Sequence, residues 1–91
     1  MAHGHHFHLD ATGHSVTVNM YSGHPGLIEL LVDGKETGHI TLRGNRPRLV
    51  AGELPTDPPL PVTVHITPGP GIPRCTAVIE GVETLMTPRA F

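Results

Sequence analysis

The 91-residue chain contains one cysteine, no tryptophan and only three aromatic side chains, one tyrosine and two phenylalanines. A lone cysteine cannot form an intrachain disulfide, which excludes the disulfide framework typical of small secreted domains. Large rings supply much of the burial energy in most protein cores, so aliphatic side chains must supply it here. So small a core gains apolar burial from association, which favours a homo-oligomer.

Charged residues and long apolar runs are also scarce. Six basic and eight acidic residues give a formal net charge of −2 with neutral histidine. Such a chain lacks the broad basic surface with which proteins hold nucleic acid or anionic membranes. No apolar run approaches the roughly 20 residues that span a bilayer, and no secretion signal is evident. We therefore expect a cytoplasmic protein that binds neither membrane nor nucleic acid.

Helical periodicity is absent, whereas the alternation typical of strands recurs along the chain. Polar and apolar residues alternate over 14–21 and 62–67. A more continuous apolar run is followed by Asp33-Gly34, a pair that favours a tight hairpin turn. Glycine and proline interrupt the chain about every ten residues, a spacing typical of short strands. The pattern predicts strands at 14–21, 27–32, 36–43, 48–54, 62–67, 74–80 and 82–86, with a bulge or turn at Gly81.

Seven or eight short strands predict an all-β fold. We favour a small antiparallel β-sandwich of immunoglobulin-like size, although a small β-barrel fits the same pattern. The sandwich is favoured because the proline-rich segment 55–61 is typical of a chain changing sheets, and proline donates no ladder hydrogen bond. We divide the chain into a histidine-rich segment at 1–13 that is a candidate edge strand, one β domain at 14–88, and a C-terminal tail at 89–91.

Four of the eight histidines fall between residues 3 and 8. Neutral imidazole is a frequent ligand of Zn, Ni and Cu. If the segment is extended, His6, His8 and Asp10 share one face, and Phe7 and Leu9 lie on the other face against the core. A solvated terminal tail is the alternative interpretation. The segment predicts a transition-metal site for Zn, Ni or Cu, with His3, His5, His6, His8 and Asp10 as candidate ligands.

No arrangement of residues indicates a catalytic site. Cys75 falls within a predicted strand and is expected to be a buried apolar side chain. Ser15 and Ser22 are the only serines, and neither lies in a nucleophile-elbow motif. Phosphate-loop and dinucleotide-binding motifs are absent as well. The sequence therefore predicts a protein that is not an enzyme.

The sequence indicates two functions from different classes. The first is a protein-binding or assembly module that binds a protein partner or self-associates through sheet faces or edge strands, with no cofactor. Arg43, Arg46 and Arg48 crowd one predicted turn and are candidate contacts for an anion or a partner, because guanidinium groups bind phosphate and carboxylate. A solvated turn is the favoured interpretation of these arginines. The alternative function is transition-metal binding through the histidine-rich segment.

Overall fold

A computed structural model describes residues 4–21, 23, 25–42, 46–67, 69 and 71–89. Within these ranges the chain forms nine strands: β1 (Gly4–Ala11), β2 (His14–Tyr21), β3 (Gly26–Val32), β4 (Lys35–Leu42), β5 (Arg48–Leu54), β6 (Leu60–Thr67), β7 (Arg74–Ile79), β8 (Val82–Leu85) and β9 (Thr87–Arg89). The same ranges contain no helix that is long and apolar enough to cross a membrane.

The strands form two antiparallel sheets that enclose one core. Sheet A has the order β4-β3-β2-β1-β9, and sheet B has the order β5-β6-β7-β8. The two sheets are separate over the described residues, so the predicted sandwich is confirmed and the barrel alternative is not formed. All seven strands that the alternation predicts are present, with ends that differ by at most two residues.

Three hairpins have two-residue turns of the same conformation. The turns are Thr12-Gly13, Asp33-Gly34 and Glu80-Gly81, and both residues of each turn have positive φ. This is the type I′ geometry, whose twist matches that of the flanking strands. Glycine at the second position adopts positive φ without steric cost. The Asp33-Gly34 prediction is confirmed, and Gly81 belongs to a turn rather than a bulge.

Sheet A contains two strands, β1 and β9, that are not among the seven strands predicted from the sequence. Residues 4–11 of the histidine-rich segment form β1, which pairs with β2 along its whole length and with β9 at residues 6–8, so this part of the segment is not a solvated tail. The expected C-terminal tail begins at Arg89, which instead ends β9. Pro88 lies within this three-residue strand, in agreement with the preference of proline for sheet edges.

The proline-rich connection does not change sheets, so that part of the prediction was wrong. β5 and β6 are neighbours in sheet B, and the connection joins two strands of the same sheet. Pro61, which we expected outside the sheets, pairs with Glu53 near the start of β6. It is tolerated there because β7 ends at Ile79, opposite Val62, and needs no donor from Pro61. The chain changes sheets between β4 and β5 and again at Met86.

The core is almost entirely aliphatic. Its buried residues are Phe7, Val16, Val18, Met20, Ile28, Leu30, Val32, Val50, Leu54, Val62, Val64, Ile66, Cys75, Ala77 and Met86. The apolar residues of the alternation over 14–21 and 62–67 are the buried residues of β2 and β6, as expected for strands with one face on the core. Among the described residues no polar or charged residue is buried. Burial of apolar surface therefore holds the two sheets together.

One lateral side of the sandwich is closed by backbone contact between β4 and β5. A Cβ atom at Gly38 would lie 2.2 Å from the carbonyl oxygen of Ala51, and one at Gly52 would lie 2.5 Å from Cγ2 of Thr37. The ladder between β3 and β4 skips Thr37, which forms a bulge. The Thr37 Oγ1 atom accepts a hydrogen bond from the N–H of Glu53 at 3.1 Å. Glycine at position 38 thus permits these two edges to meet.

Replacing Gly38 tests this contact. Gly38→Ala is expected to lower the free energy of unfolding by about 1–3 kcal/mol, because the new methyl group displaces backbone. Gly52→Ala is the comparison variant and should also destabilise the fold, but by less, because the side chains of Thr37 and Leu30 that its methyl group meets can shift more readily than backbone. Urea unfolding of both variants measures the difference. A Gly38→Ala protein as stable as the wild type would contradict the close approach of β4 and β5.

Candidate functional site

The outer face of sheet A gathers histidines and carboxylates from separate parts of the chain. Strand register places one row of side chains across the sheet: Arg89, His6, Asn19, Glu29 and His39. The next row along the strands contains Thr87, His8, Thr17, Leu31 and Glu36. We call these two rows the polar face. Its members on β1, β2 and β3 are half-buried by their neighbours, so they form a packed layer.

Neighbouring polar groups orient the imidazoles of the polar face. The Nε2 atom of His8 lies 2.9 Å from Oδ1 of Asp10, and its Nδ1 atom lies 3.5 Å from Oγ of Ser15. His6 forms a hydrogen bond through Nδ1 with Oδ1 of Asn19. Because a carboxylate beside an imidazole fixes the ring orientation, His8 is the best-positioned histidine of β1.

The candidate metal ligands are only partly brought together. His6, His8 and Asp10 lie on one face of β1, as the alternation predicts, while His5 lies on the opposite face with Phe7. His3 lies outside the described residues. Within the described ranges no three His, Cys, Asp or Glu side chains are arranged to hold a metal ion. His8 would have to release Asp10 or Ser15 to bind one, and the metal site stays a prediction.

Ser15, His8 and Asp10 form a chain of hydroxyl, imidazole and carboxylate that sequence reasoning missed. The order matches that of a nucleophile, a base and an orienting acid. The Ser15–His8 distance of 3.5 Å is at the limit of a hydrogen bond. The side chain of Asp10 is 81% exposed, so water competes for its contact with His8. This open arrangement on a sheet surface gives no support for a nucleophilic enzyme.

A second histidine–carboxylate contact joins two hairpins at one end of sheet A. The Nδ1 atom of His14 lies 2.7 Å from Oδ2 of Asp33. Ser15 donates its backbone N–H to Oδ1 of Asp33 at 3.0 Å, and Asp33 donates its own N–H to the carbonyl of Ser15 at 2.8 Å. The hydrogen bond from His14, followed by that from Ser15, lowers the pKa of Asp33. Sequence reasoning missed this contact because it depends on the register between β2 and β3.

Other candidate catalytic groups lack reactive geometry. Burial raises the pKa of the Cys75 thiol to about 12, and the expected buried, apolar role of this residue is confirmed. Burial, followed by the nearby carboxylate of Glu29, raises the pKa of Tyr21, which hydrogen-bonds to that carboxylate. Glu29 lies opposite His39, and Glu36 lies opposite Leu31, so the two glutamates are not directly paired.

The arginine turn is described only in part. Arg43 lies outside the described residues. Arg46 is exposed in the segment before β5, and Arg48 begins β5 half-buried, opposite Ile66. The role of these arginines as contacts for an anion or a partner stays a prediction.

The lateral side of the sandwich opposite β4 and β5 is formed by residues 82–89, which we call the crossover edge. The chain passes from β8 in sheet B to β9 in sheet A at Met86. Met86 is buried and donates its N–H to the carbonyl of Cys75 at 2.9 Å. The other seven residues are all exposed. Val82 and Leu85 are each 64% exposed, which is unusual for two large apolar side chains on one short strand.

The chain matches no protein-family model, and neither curated proteins nor solved structures show significant similarity to it.

The contact between His14 and Asp33 predicts a specific dependence of stability on pH. Because the folded-state pKa of Asp33 lies below its ordinary value of 3.8, the ionised carboxylate stabilises the fold above that value. This stabilisation is lost as the pH falls through the lowered folded-state pKa. Asp33→Asn keeps a residue suited to a type I′ turn but removes the charge.

We expect Asp33→Asn to unfold at a lower temperature than the wild type near neutral pH. The gap between the two melting temperatures should close between about pH 5 and about pH 2. Thermal unfolding followed by circular dichroism at several pH values measures the gap. A gap of constant size over this range would contradict the assigned contact.

Proposed function

We propose that this chain is a non-enzymatic protein-binding or assembly module that associates through the crossover edge. The observation that carries the proposal is the exposure of seven of its eight residues, Val82 and Leu85 among them. A sheet edge offers unpaired backbone N–H and C=O groups, which are a template for pairing with another strand. If a partner strand also covers the exposed apolar side chains of this strand, their removal from water stabilises the pairing.

The other sheet edges are protected, which distinguishes β8 from them. β4 and β5 cover each other through the contact of Gly38 with Ala51. β9 contains Pro88 and Arg89, and proline and charged residues are the usual means of protecting a sheet edge. β8 contains no proline or basic residue, and Glu83 is its single charge. This contrast supports β8 as the part of the edge that makes contact.

The arrangement of reactive groups supports a non-enzymatic role. Cys75 is buried and its pKa is raised, so a thiolate is inaccessible near neutral pH. Ser15 lies on an open sheet surface and contacts its imidazole only at 3.5 Å. A single buried thiol also suits a reducing compartment, and we propose a cytoplasmic location on that basis.

Transition-metal binding is the second candidate function. The observation that favours it is the placement of His6 and His8 on one strand face, with Asp10 hydrogen-bonded to His8. A carboxylate paired with a histidine is the common outer-shell arrangement of Zn sites. Zn, Ni or Cu would take His6 and His8 as ligands, and Asp10 would orient the His8 ring.

The association state of untagged protein tests the first proposal. We expect sedimentation velocity to show a monomer that becomes an oligomer as the concentration rises from about 1 μM to about 1 mM. Native mass spectrometry of the same sample should show the oligomer without a bound metal. A protein that stays monomeric over the whole range and binds no protein partner would contradict the proposal.

Calorimetric titration with Zn, Ni and Cu salts tests the second proposal. The double variant His6→Ala and His8→Ala should lose at least about tenfold in affinity, which corresponds to about 1.4 kcal/mol. A double variant of His5 and His65 to alanine is the matched control, because these residues lie on other surfaces and binding should persist. Equal affinity in both double variants would contradict the site.

A further inference from the structure

The register of the β7–β8 hairpin determines which backbone groups of β8 face solvent. In a hairpin with a two-residue turn, the residues that flank the turn exchange hydrogen bonds, and this pairing recurs at every second residue. Ile79 pairs with Val82, and Ala77 pairs with Thr84. The hydrogen bond from Met86 to Cys75 continues the same series. The N–H and C=O groups of Val82 and Thr84 are therefore directed toward β7.

The backbone groups of Glu83 and Leu85 are directed away from β7 by the same alternation. β8 is the last strand of sheet B over the described residues, so no further strand of this sheet pairs with them. Two N–H and two C=O groups thus point outward at the sheet edge. Val82 and Leu85 project from opposite faces of the strand, since side chains alternate. An added strand would cover both side chains, whereas a partner docked on one sheet face would cover only one.

We infer that β8 pairs antiparallel with β8 of a second copy of this chain, around a two-fold axis that passes beside Thr84. This inference rests on the proposed assembly function and names its partner. The pairing sets Glu83 opposite the partner's Leu85 and Leu85 opposite the partner's Glu83. Four backbone hydrogen bonds form, and the four strands of sheet B in each copy become one eight-stranded sheet.

Charge favours this partner and this register. A two-fold axis beside Glu83 would set two carboxylates directly opposite each other, which is destabilising. An axis beside Thr84 separates them by two residues along the strands. The segment is acidic at its start, with Glu80 and Glu83, and basic at its end, with Arg89. An antiparallel pairing of two copies therefore points the acidic start of one segment in the same direction as the basic end of the other, although Arg89 lies in sheet A rather than in the β8 ladder.

Two substitutions at one position test the backbone pairing. Glu83→Pro removes the outward N–H and leaves the bonds between β7 and β8 in place. Glu83→Ala is the matched control, because it removes the same carboxylate but keeps the N–H. We expect Glu83→Pro to raise the dimer dissociation constant at least about tenfold and Glu83→Ala to raise it less than about threefold, as measured by sedimentation equilibrium. Circular dichroism checks that both variants retain the sheet.

Disulfide crosslinking tests the register independently of stability. The axis beside Thr84 makes the two Thr84 residues a non-hydrogen-bonded pair with Cα atoms about 4.5 Å apart, within the range for a disulfide. Mild oxidation by oxidised glutathione should therefore join Thr84→Cys chains into a covalent dimer, with the glutathione disulfide reduced. Val82→Cys is the matched control, since the two Val82 residues lie about four residues apart along the paired strands, and it should crosslink at least about tenfold more slowly.

The outcomes separate the inference from the function on which it rests. A wild-type protein that is monomeric at every concentration overturns the pairing with a second copy, and it overturns the proposed function as well if the monomer binds no protein partner. A wild-type dimer that persists in Glu83→Pro, or that crosslinks equally at positions 82 and 84, overturns the pairing of β8 but leaves an assembly function through another surface. A dimer that Glu83→Pro dissociates and that Thr84→Cys captures supports the inference.

Discussion

Two stacked open sheets have four edge strands, β4, β9, β5 and β8. The way in which the chain covers these strands determines which backbone groups remain open to a partner. On one side the bulge at Thr37 and the glycine at position 38 let β4 meet β5 at backbone distance. On the other side a single segment crosses from one sheet to the other and is fixed to the core by Met86. A thin aliphatic core is buried between these two sides. Only the second side leaves a strand edge uncovered within the described residues.

The histidine–carboxylate contacts of the molecule lie on sheet A, outside the core and away from β8. His6 and His8 lie on the outer face of sheet A, where Asn19 and Asp10 orient their rings. His14 and Asp33 join two turns at the end of the same sheet. These contacts orient side chains at the surface of sheet A, and the contact with His14 lowers the pKa of Asp33. Apolar burial holds the sandwich together. The histidine–carboxylate pairs add contacts at the surface of sheet A.

Local periodicity accounts for how much of the fold could be predicted from the sequence. Alternation along β2 and β6 assigned the inward faces correctly, because each strand has one face on the core. The same rule placed His6, His8 and Asp10 on one face of β1. Asp33-Gly34 identified its hairpin, because the turn geometry depends on only two residues.

Features that depend on distant pairing could not be predicted in the same way. β9 is three residues long and contains Pro88, so no periodic signal marks it. The proline-rich connection gave the correct architecture for a wrong reason, since strand order depends on contacts between β5 and β6. The contact of Ser15 with His8 also required the register between β1 and β2. An uncovered edge can be recognised only after every strand has been assigned its neighbours.

The pairing of β8 is the central claim, and residue-resolved amide hydrogen exchange tests it most directly. Exchange would be followed by nuclear magnetic resonance in dilute and in concentrated samples at the same pH. We expect the amides of Glu83 and Leu85 to exchange rapidly when dilute and to become protected when concentrated. Thr84, whose N–H bonds to β7, should be protected in both samples. Equal and rapid exchange of Glu83 and Leu85 at both concentrations would contradict the account.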